Sequence, residues 1–175
     1  RGLQLVAGGS KENTAVQIAG RESQDMAEAA RMAEANGAKM IDINMGCPAK
    51  KVVNGYSGSA LLRNLSHAMT LIESVVDAVD IPVSLKTRLG WDENTLNAAQ
   101  LAIMAERAGI VMVTIHGRTR CQFYKGRSNW AAIKNIKDAV SIPVIANGDI
   151  TDAASAIIAL DHSNANGVMI GRAAR

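Results

Sequence analysis

The sequence predicts an α/β fold, a (β/α)8 TIM barrel present as about strands 3–8. Three observations predict it. Apolar, strand-like runs alternate with amphipathic helical runs, and strand ends recur about every 30 residues, the size of one βα unit. Phrases repeat along the chain: Asp77-Ala-Val-Asp-Ile-Pro-Val83 returns as Asp138-Ala-Val-Ser-Ile-Pro-Val144. A polar residue closes each strand, which is the barrel pattern, whereas an open doubly wound sheet gathers its functional groups at one switch point. A whole barrel needs about 250 residues, so the 175 residues here hold six units.

Taken in order, a strand near 15–18 carries Gln17 and feeds a helix near 22–36. A strand near 40–44 ends on Asn44 and leads to a helix near 58–79. The strand near 82–87 brings Lys86 and Arg88 to its end, before a helix near 94–108. The strand near 111–116 ends on His116, and a helix near 129–139 follows. The strand near 142–146 delivers Asn147 and Asp149, and a helix near 152–160 follows with Thr151 as its N-cap. A last strand near 167–170 ends before Arg172. The strands read as apolar on both alternating positions, which predicts burial on both faces. The glycines of Ala35-Asn-Gly37, Ala108-Gly109 and Ala165-Asn-Gly167 are expected to supply left-handed helix ends.

Composition bounds the rest. Hydrophobic residues are 48% and charged residues 20%, which excludes wholesale disorder. No apolar run reaches the ~18 residues of a spanning helix, and no signal peptide is visible. Two cysteines, Cys47 and Cys121, are too few for a disulfide framework, so a reduced, cytoplasmic protein is expected. The chain opens on Arg1 and ends on Arg175 after a strand-like run. Both ends read as cut, and the chain as a piece of a longer protein.

Charge is modest in sum, +3, but uneven. No acid occurs from Ile43 to Ile72 or from Arg107 to Lys137. Arg118, Arg120, Lys125 and Arg127 fall within ten residues, with Phe123, Tyr124 and Trp130 nearby. Basic side chains read phosphates, and aromatics stack on unpaired bases. The bland alternative is a solvated loop with a small aromatic anchor.

Four motifs carry chemistry. Asn147-Gly148-Asp149 before a helix start, and Gly171-Arg172 after the next strand, match the phosphate site that barrels form after strands 7 and 8; otherwise the glycines only make turns. Lys86 follows apolar Val83-Ser-Leu85 and could offset negative charge on a reduced flavin, or pair with Asp42. Cys47, in Asn44-Met-Gly-Cys-Pro-Ala-Lys50, suits a proton donor or nucleophile on a loop over the site, or is a small buried hydrophobe. His116 could donate a hydrogen bond to a cofactor. Cys121, His67 and His162 lack such context, and no spacing indicates zinc.

With these residues in view, the chain resembles bacterial tRNA-dihydrouridine synthases, most closely their B-type branch. The phrases are VQIAG (16–20), IDINMGCPAKKV (41–52), GSALLR (58–63), LKTRLGW (85–91), TIHGRTR (114–120), QFYKG (122–126), IPVIANGDI (142–150) and MIGRAA (169–174). The resemblance implies an FMN-containing barrel followed by a helical tRNA-binding domain. It implies NADPH-driven reduction of the uridine C5=C6 bond in tRNA, with hydride from flavin to C6 and a proton from Cys47 to C5. It implies flavin contacts from Gln17, Lys86, His116, Asn147, Gly148, Asp149, Gly171 and Arg172. RNA contacts are implied for Lys50, Arg88, Arg118 and Arg120. Residues 1–175 would then be a partial catalytic barrel. The family's first strand and its C-terminal domain are absent, and the second strand is missing or reduced to Leu3–Val6. No membrane and no obligate protein partner is expected. Two rivals remain: an FMN barrel on a free pyrimidine, of the dihydroorotate dehydrogenase type, and a non-catalytic RNA-binding barrel.

Overall fold

A computed structural model describes residues 14–174; Leu3–Val6 lies outside them. Six parallel strands form one sheet in chain order. They are β1 (Ala15–Ile18), β2 (Met40–Met45), β3 (Val83–Arg88), β4 (Met112–His116), β5 (Val144–Asn147) and β6 (Gly167–Met169). Helices between them are α1 (Ser23–Ala35), a short α2 (Lys50–Val53), α3 (Leu65–Val76), α4 (Ala98–Arg107), α5 (Trp130–Lys137) and α6 (Ala153–Ser163). Each strand pairs with the next, and the order never reverses, which is barrel winding and not a doubly wound sheet. These are six consecutive units of a TIM barrel.

The strands are not apolar on both faces. Register partners in a parallel sheet share a face, and here the two faces differ. Ile41, Ile43, Val83, Leu85, Val113, Ile115, Val144 and Ala146 are all buried toward the helices. The other face carries Gln17, Asp42 and Ser84 in one row, Asn44, Lys86 and Thr114 in the next, and Arg88, His116 and Asn147 in a third. The alternation is aliphatic outside and polar inside, because the inner face is the barrel's interior and ends in a site.

The helices follow from their apolar spacing. α3 buries Ala68, Leu71, Ile72 and Val75, the i, i+3, i+4, i+7 stripe of a half-buried helix. The predicted helix 58–79 divides: Gly58–Arg63 is a 3₁₀ helix. The break falls at Asn64, whose extended backbone lets its side chain accept from His67 N at 3.1 Å and cap α3. Thr151 is not the cap of α6. Asp152 is, through a reciprocal box with Ser155. Gly37 and Gly109 have the expected positive φ of 89° and 101°, but α6 ends on left-handed Asn164, and Gly167 belongs to β6. The repeated Asp-Ala-Val-X-Ile-Pro-Val phrase has a shared physical cause. Glu34 of α1 accepts from Asp80 N and Ile81 N at 2.9 and 3.2 Å. Glu106 of α4 accepts from Ser141 N and Ile142 N at 2.8 and 3.0 Å. Among the described residues no helix is long and apolar enough to cross a membrane.

Leu85 is wholly buried on the helix-facing side. Leu85→Ala should lower unfolding free energy by about 2–5 kcal/mol, read from the urea midpoint. Leu96→Ala, at a position 54% exposed, should stay within about 0.5 kcal/mol of the parent.

Candidate active site at the strand ends

The C-terminal ends of the strands and the loops that follow them surround a cavity of about 660 Å³. Cys47, Gln17, Lys86, His116, Asn147, Gly148, Asp149, Gly171 and Arg172 all line it, as does Arg88. Lys50, Arg118 and Arg120 do not.

A chain of hydrogen bonds builds its left wall from the buried carboxylate of Asp42. Ser84 Oγ and Gln17 Nε2 donate to Asp42 at 2.7 and 2.6 Å. That fixes the Gln17 amide, whose Oε1 then accepts from Asn44 Nδ2 at 2.8 Å. The Asn44 amide is fixed in turn, and its Oδ1 accepts from Gly46 N and Cys47 N at 3.0 and 2.9 Å. Each amide has one donor side and one acceptor side, so the carboxylate determines the orientation of every group up to the Cys47 loop. Burial pushes the Asp42 carboxyl up, against the lowering effect of its Gln17 and Ser84 bonds.

Gly58 and Ser59 support the same loop from below, a role that sequence reading missed. Ser59 N and Ser59 Oγ donate to the Cys47 carbonyl at 3.1 and 2.9 Å. Gly58 has φ 60°, and a Cβ there would meet the Cys47 carbonyl oxygen at 2.8 Å. The GSALLR phrase carried the signal, but nothing in it pointed at Cys47.

Lys86 reaches into the cavity without an acid partner among the described residues. Its ammonium donates to Asn147 Oδ1 at 3.2 Å, and no Lys86–Asp42 bridge forms. Asn147 Nδ2 donates onward to the Met169 carbonyl at 2.8 Å, tying β5 to β6. Burial, with Arg88 repulsion behind it, holds the Lys86 pKa below its ordinary value.

Arg88 and Arg118 are both buried and engaged by internal partners. Arg88 is 2% exposed. Its Nε donates to the Gly46 carbonyl at 2.8 Å, and its Nη1 to those of Thr119 and Phe123 at 3.0 and 2.9 Å. It thus holds the Cys47 loop against the basic loop. Burial brings its pKa down to about 10. Arg118 is equally buried and pairs with Asp149 at 2.6 Å, while also donating to the Lys125 and Gly126 carbonyls. Sequence distance hid this pair. Burial pushes the Asp149 carboxyl up, but the Arg118 hydrogen bond, the Ser128 amide and the Arg118 charge together bring it below the usual range. Lys50 is exposed at the start of α2.

His116 Nε2 lies 3.3 Å from Arg118 Nη1. Guanidinium nitrogens only donate, so this ring nitrogen accepts and the proton resides on Nδ1. Burial, then the charges of Arg88, Lys86 and Arg118, lower the His116 pKa to about 3. His116 is therefore neutral near pH 7, and only Nδ1 can donate to a ligand.

The phosphate-site reading needs one change. The N3 amide of α6 is already taken by Asp152, and a carboxylate there disfavours a second anion. The open positions are Gly171, where an added Cβ would meet nothing within 4 Å, and exposed Arg172. Gly148 has φ 105°, and a Cβ there would collide with Ser128 Oγ. Trp130 belongs to α5 and not to the aromatic loop; its Nε1 donates to the Gly148 carbonyl at 2.9 Å. Phe123 and Tyr124 do project from that loop, edge to face at 4.7 Å. Arg172 lies 4.6 Å and Arg88 5.6 Å from the Tyr124 ring.

A family model described as dihydrouridine synthase matches residues 4–175. A protein named probable tRNA-dihydrouridine synthase from Rhodobacter capsulatus is 64% identical over 162 residues, covering 93% of this chain and 50% of that protein. The tRNA-dihydrouridine synthase B of Proteus vulgaris is 51% identical over 160 residues, covering 91% and 50%. The chain thus spans about half the length of the curated relatives it matches. Among solved structures, a mandelate racemase/muconate lactonizing enzyme from Roseiflexus sp. superposes with TM-score 0.64 at 18% identity, covering 90% of this chain and 39% of that one. A morphinone reductase mutant in complex with tetrahydroNAD gives 0.62 at 19% identity, covering 86% and 44%. Identities this low establish a shared fold alone.

The neutral His116 carries a pH prediction. Its folded pKa lies below the unfolded value near 6.5, so between about pH 6.5 and about pH 3 the unfolded chain binds the extra proton. Its contribution is intact above the unfolded pKa and is lost as pH falls through that window. His116→Gln should remove up to one proton, or ~1.4 kcal/mol per pH unit, from the slope of unfolding free energy against pH. Urea unfolding between pH 4 and 6 measures it.

Proposed function

The chain belongs to the dihydrouridine synthase family, and on that premise we propose that its cavity binds FMN and serves tRNA-dihydrouridine synthesis. NADPH is the proposed reductant, and the substrate is a uracil C5=C6 bond within tRNA. The observation that carries the reading is one cavity lined by Cys47, Lys86, His116, Asn147 and Arg172 together.

The residues present fit a flavin mononucleotide. The volume lies within the usual ~300–1,000 Å³ of small-molecule sites. Lys86 brings a cation with no carboxylate partner among the described residues, matched to an electron-rich ring edge. Arg172 and the open backbone at Gly171 suit a phosphate. Gln17, Asn147 and the Nδ1 of His116 add hydrogen-bonding groups, and Gly148 and Asp149 complete that wall by their backbone. The chemistry a reduced flavin supplies is hydride donation, here to uracil C6.

This chain's own part is to hold the base and provide the proton. Addition at C6 leaves negative charge on C5, spread onto the C4 carbonyl. Cys47 Sγ gives C5 its proton, and the thiolate regains one from water, so the base gains two hydrogens in all. Asn44 and Ser59 keep the Cys47 backbone fixed while this happens. The uracil must leave its stack to reach the cavity. Tyr124, 45% exposed at the rim, offers a ring on which a base can rest. Lys50, at the start of α2, and Arg120, in the loop after β4, stand at the same barrel end, to meet the RNA backbone. The relatives' further length would carry two more strands and a helical tRNA-binding domain, so this chain by itself should hold FMN weakly.

Cys47→Ala should cut dihydrouridine formation on tRNA about 10²–10⁴-fold, the usual weight of a positioned proton donor. FMN affinity, followed by quenching of flavin fluorescence, should be unchanged. Undiminished turnover would remove Cys47 as the proton donor, whereas a flavin-loaded parent enzyme with no turnover on tRNA would favour the free-pyrimidine or non-catalytic reading. Lys86→Met should instead weaken FMN itself.

A further inference from the structure

We infer that Arg63, Trp91 and Arg120 form a second anion site, outside the main cavity, that takes a phosphodiester of the substrate RNA. The inference rests on the proposed tRNA substrate and names a place where that RNA is held.

Arg63 Cζ lies 4.9 Å and Arg120 Cζ 4.7 Å from the centroid of the Trp91 ring. Both arginines line a separate concavity of about 340 Å³ with Trp91, Asn54 and Tyr56. Neither guanidinium pairs with a carboxylate among the described residues. Each carries five N–H donors, and the Nε of Arg120 is buried without a partner. The acids next in sequence do not answer this charge. Asp92 turns its Oδ1 to Asn94 N and Thr95 Oγ1 at 3.0 and 2.9 Å, and Glu93 is exposed and makes no ion pair among the described residues.

Two like charges on one indole repel each other, and the ring attracts each only weakly where solvent reaches them. An oxyanion between them would offset the repulsion and engage the forked donors that suit phosphate. The backbone keeps the three residues together. Arg120 N donates to the Gly90 carbonyl and Cys121 N to that of Trp91, both at 2.9 Å. Arg63 ends the same 3₁₀ helix whose Ser59 supports Cys47. The site therefore stands one loop away from the proposed proton donor, where a phosphate flanking an extruded uridine would lie. Tyr56, 68% exposed, adds a ring beside it.

The test is binding of bulk tRNA to the chain at several salt concentrations. Arg63→Gln and Arg120→Gln should each flatten the plot of log Kd against log salt by about one, while Arg63→Lys and Arg120→Lys keep the parent slope. Lys39→Gln, at the opposite barrel end, should also keep it. Arg63 is exposed, so Arg63→Glu keeps the test open if an Arg120 variant does not fold, and it should flatten the slope further. Parent-like slopes in the glutamine variants, with tRNA still bound by the parent, overturn this site alone. A parent that binds no tRNA overturns this site, since the chain then has no RNA anchor of its own, and leaves the substrate reading to the Cys47 test. A loss confined to NADPH assigns the phosphate to the dinucleotide and also overturns the proposal.

Discussion

In-register parallel pairing of six strands puts every second side chain on one face and the rest on the other, and the site depends on that separation. The helix-facing residues form an aliphatic layer in which Ile41, Ile43, Leu85, Val113, Ile115 and Val144 are almost wholly removed from water. This layer supplies the hydrophobic stabilisation. It leaves the inner face free to hold polar groups whose desolvation would otherwise be unfavourable. A slip of one residue in any strand would exchange the two sets and put Lys86 or Asp42 among the helices.

Burying a carboxylate such as Asp42 is costly unless its oxygens are satisfied. Gln17 and Ser84 satisfy them, and the consequence extends well past the carboxylate. Because an amide cannot donate and accept from the same atom, the orientation of Gln17 sets that of Asn44, and Asn44 sets the start of the Cys47 loop. Gly58 and Ser59 close that loop from the other side. The proposed proton donor is thus held by its main chain at both ends, leaving the thiol as the part able to serve a substrate. Preorganisation of this kind is what positioned catalytic groups need.

The basic residues sort into two kinds that composition could not separate. Arg88 and Arg118 spend their donors on backbone carbonyls and on Asp149, and their charge adds to burial in keeping His116 neutral. Lys86, Arg172, Arg63 and Arg120 have no carboxylate partner among the described residues. The first kind fixes the loops of the mouth. The second kind is what a phosphate or an electron-rich ring would meet there.

The sequence by itself determined the element order, the strand ends and most of the cavity's lining. Strand length, helix periodicity and one polar residue at each strand end are local properties. The phrase from Asn44 to Lys50 and the triplet Asn147-Gly148-Asp149 were visible as sites for the same reason. The tertiary structure alone decided which of those residues have partners. Arg118 meets Asp149 across two loops, Asn44 reaches Gln17 on the neighbouring strand, and Gly58 packs beneath Cys47. It also replaced Thr151 by Asp152 as the cap of α6 and broke the long helix at Asn64, since caps depend on backbone angles and not on residue type alone. Each of these turns on the close approach of groups distant in the chain or on a single dihedral angle, and a pattern of residue types along one dimension records neither.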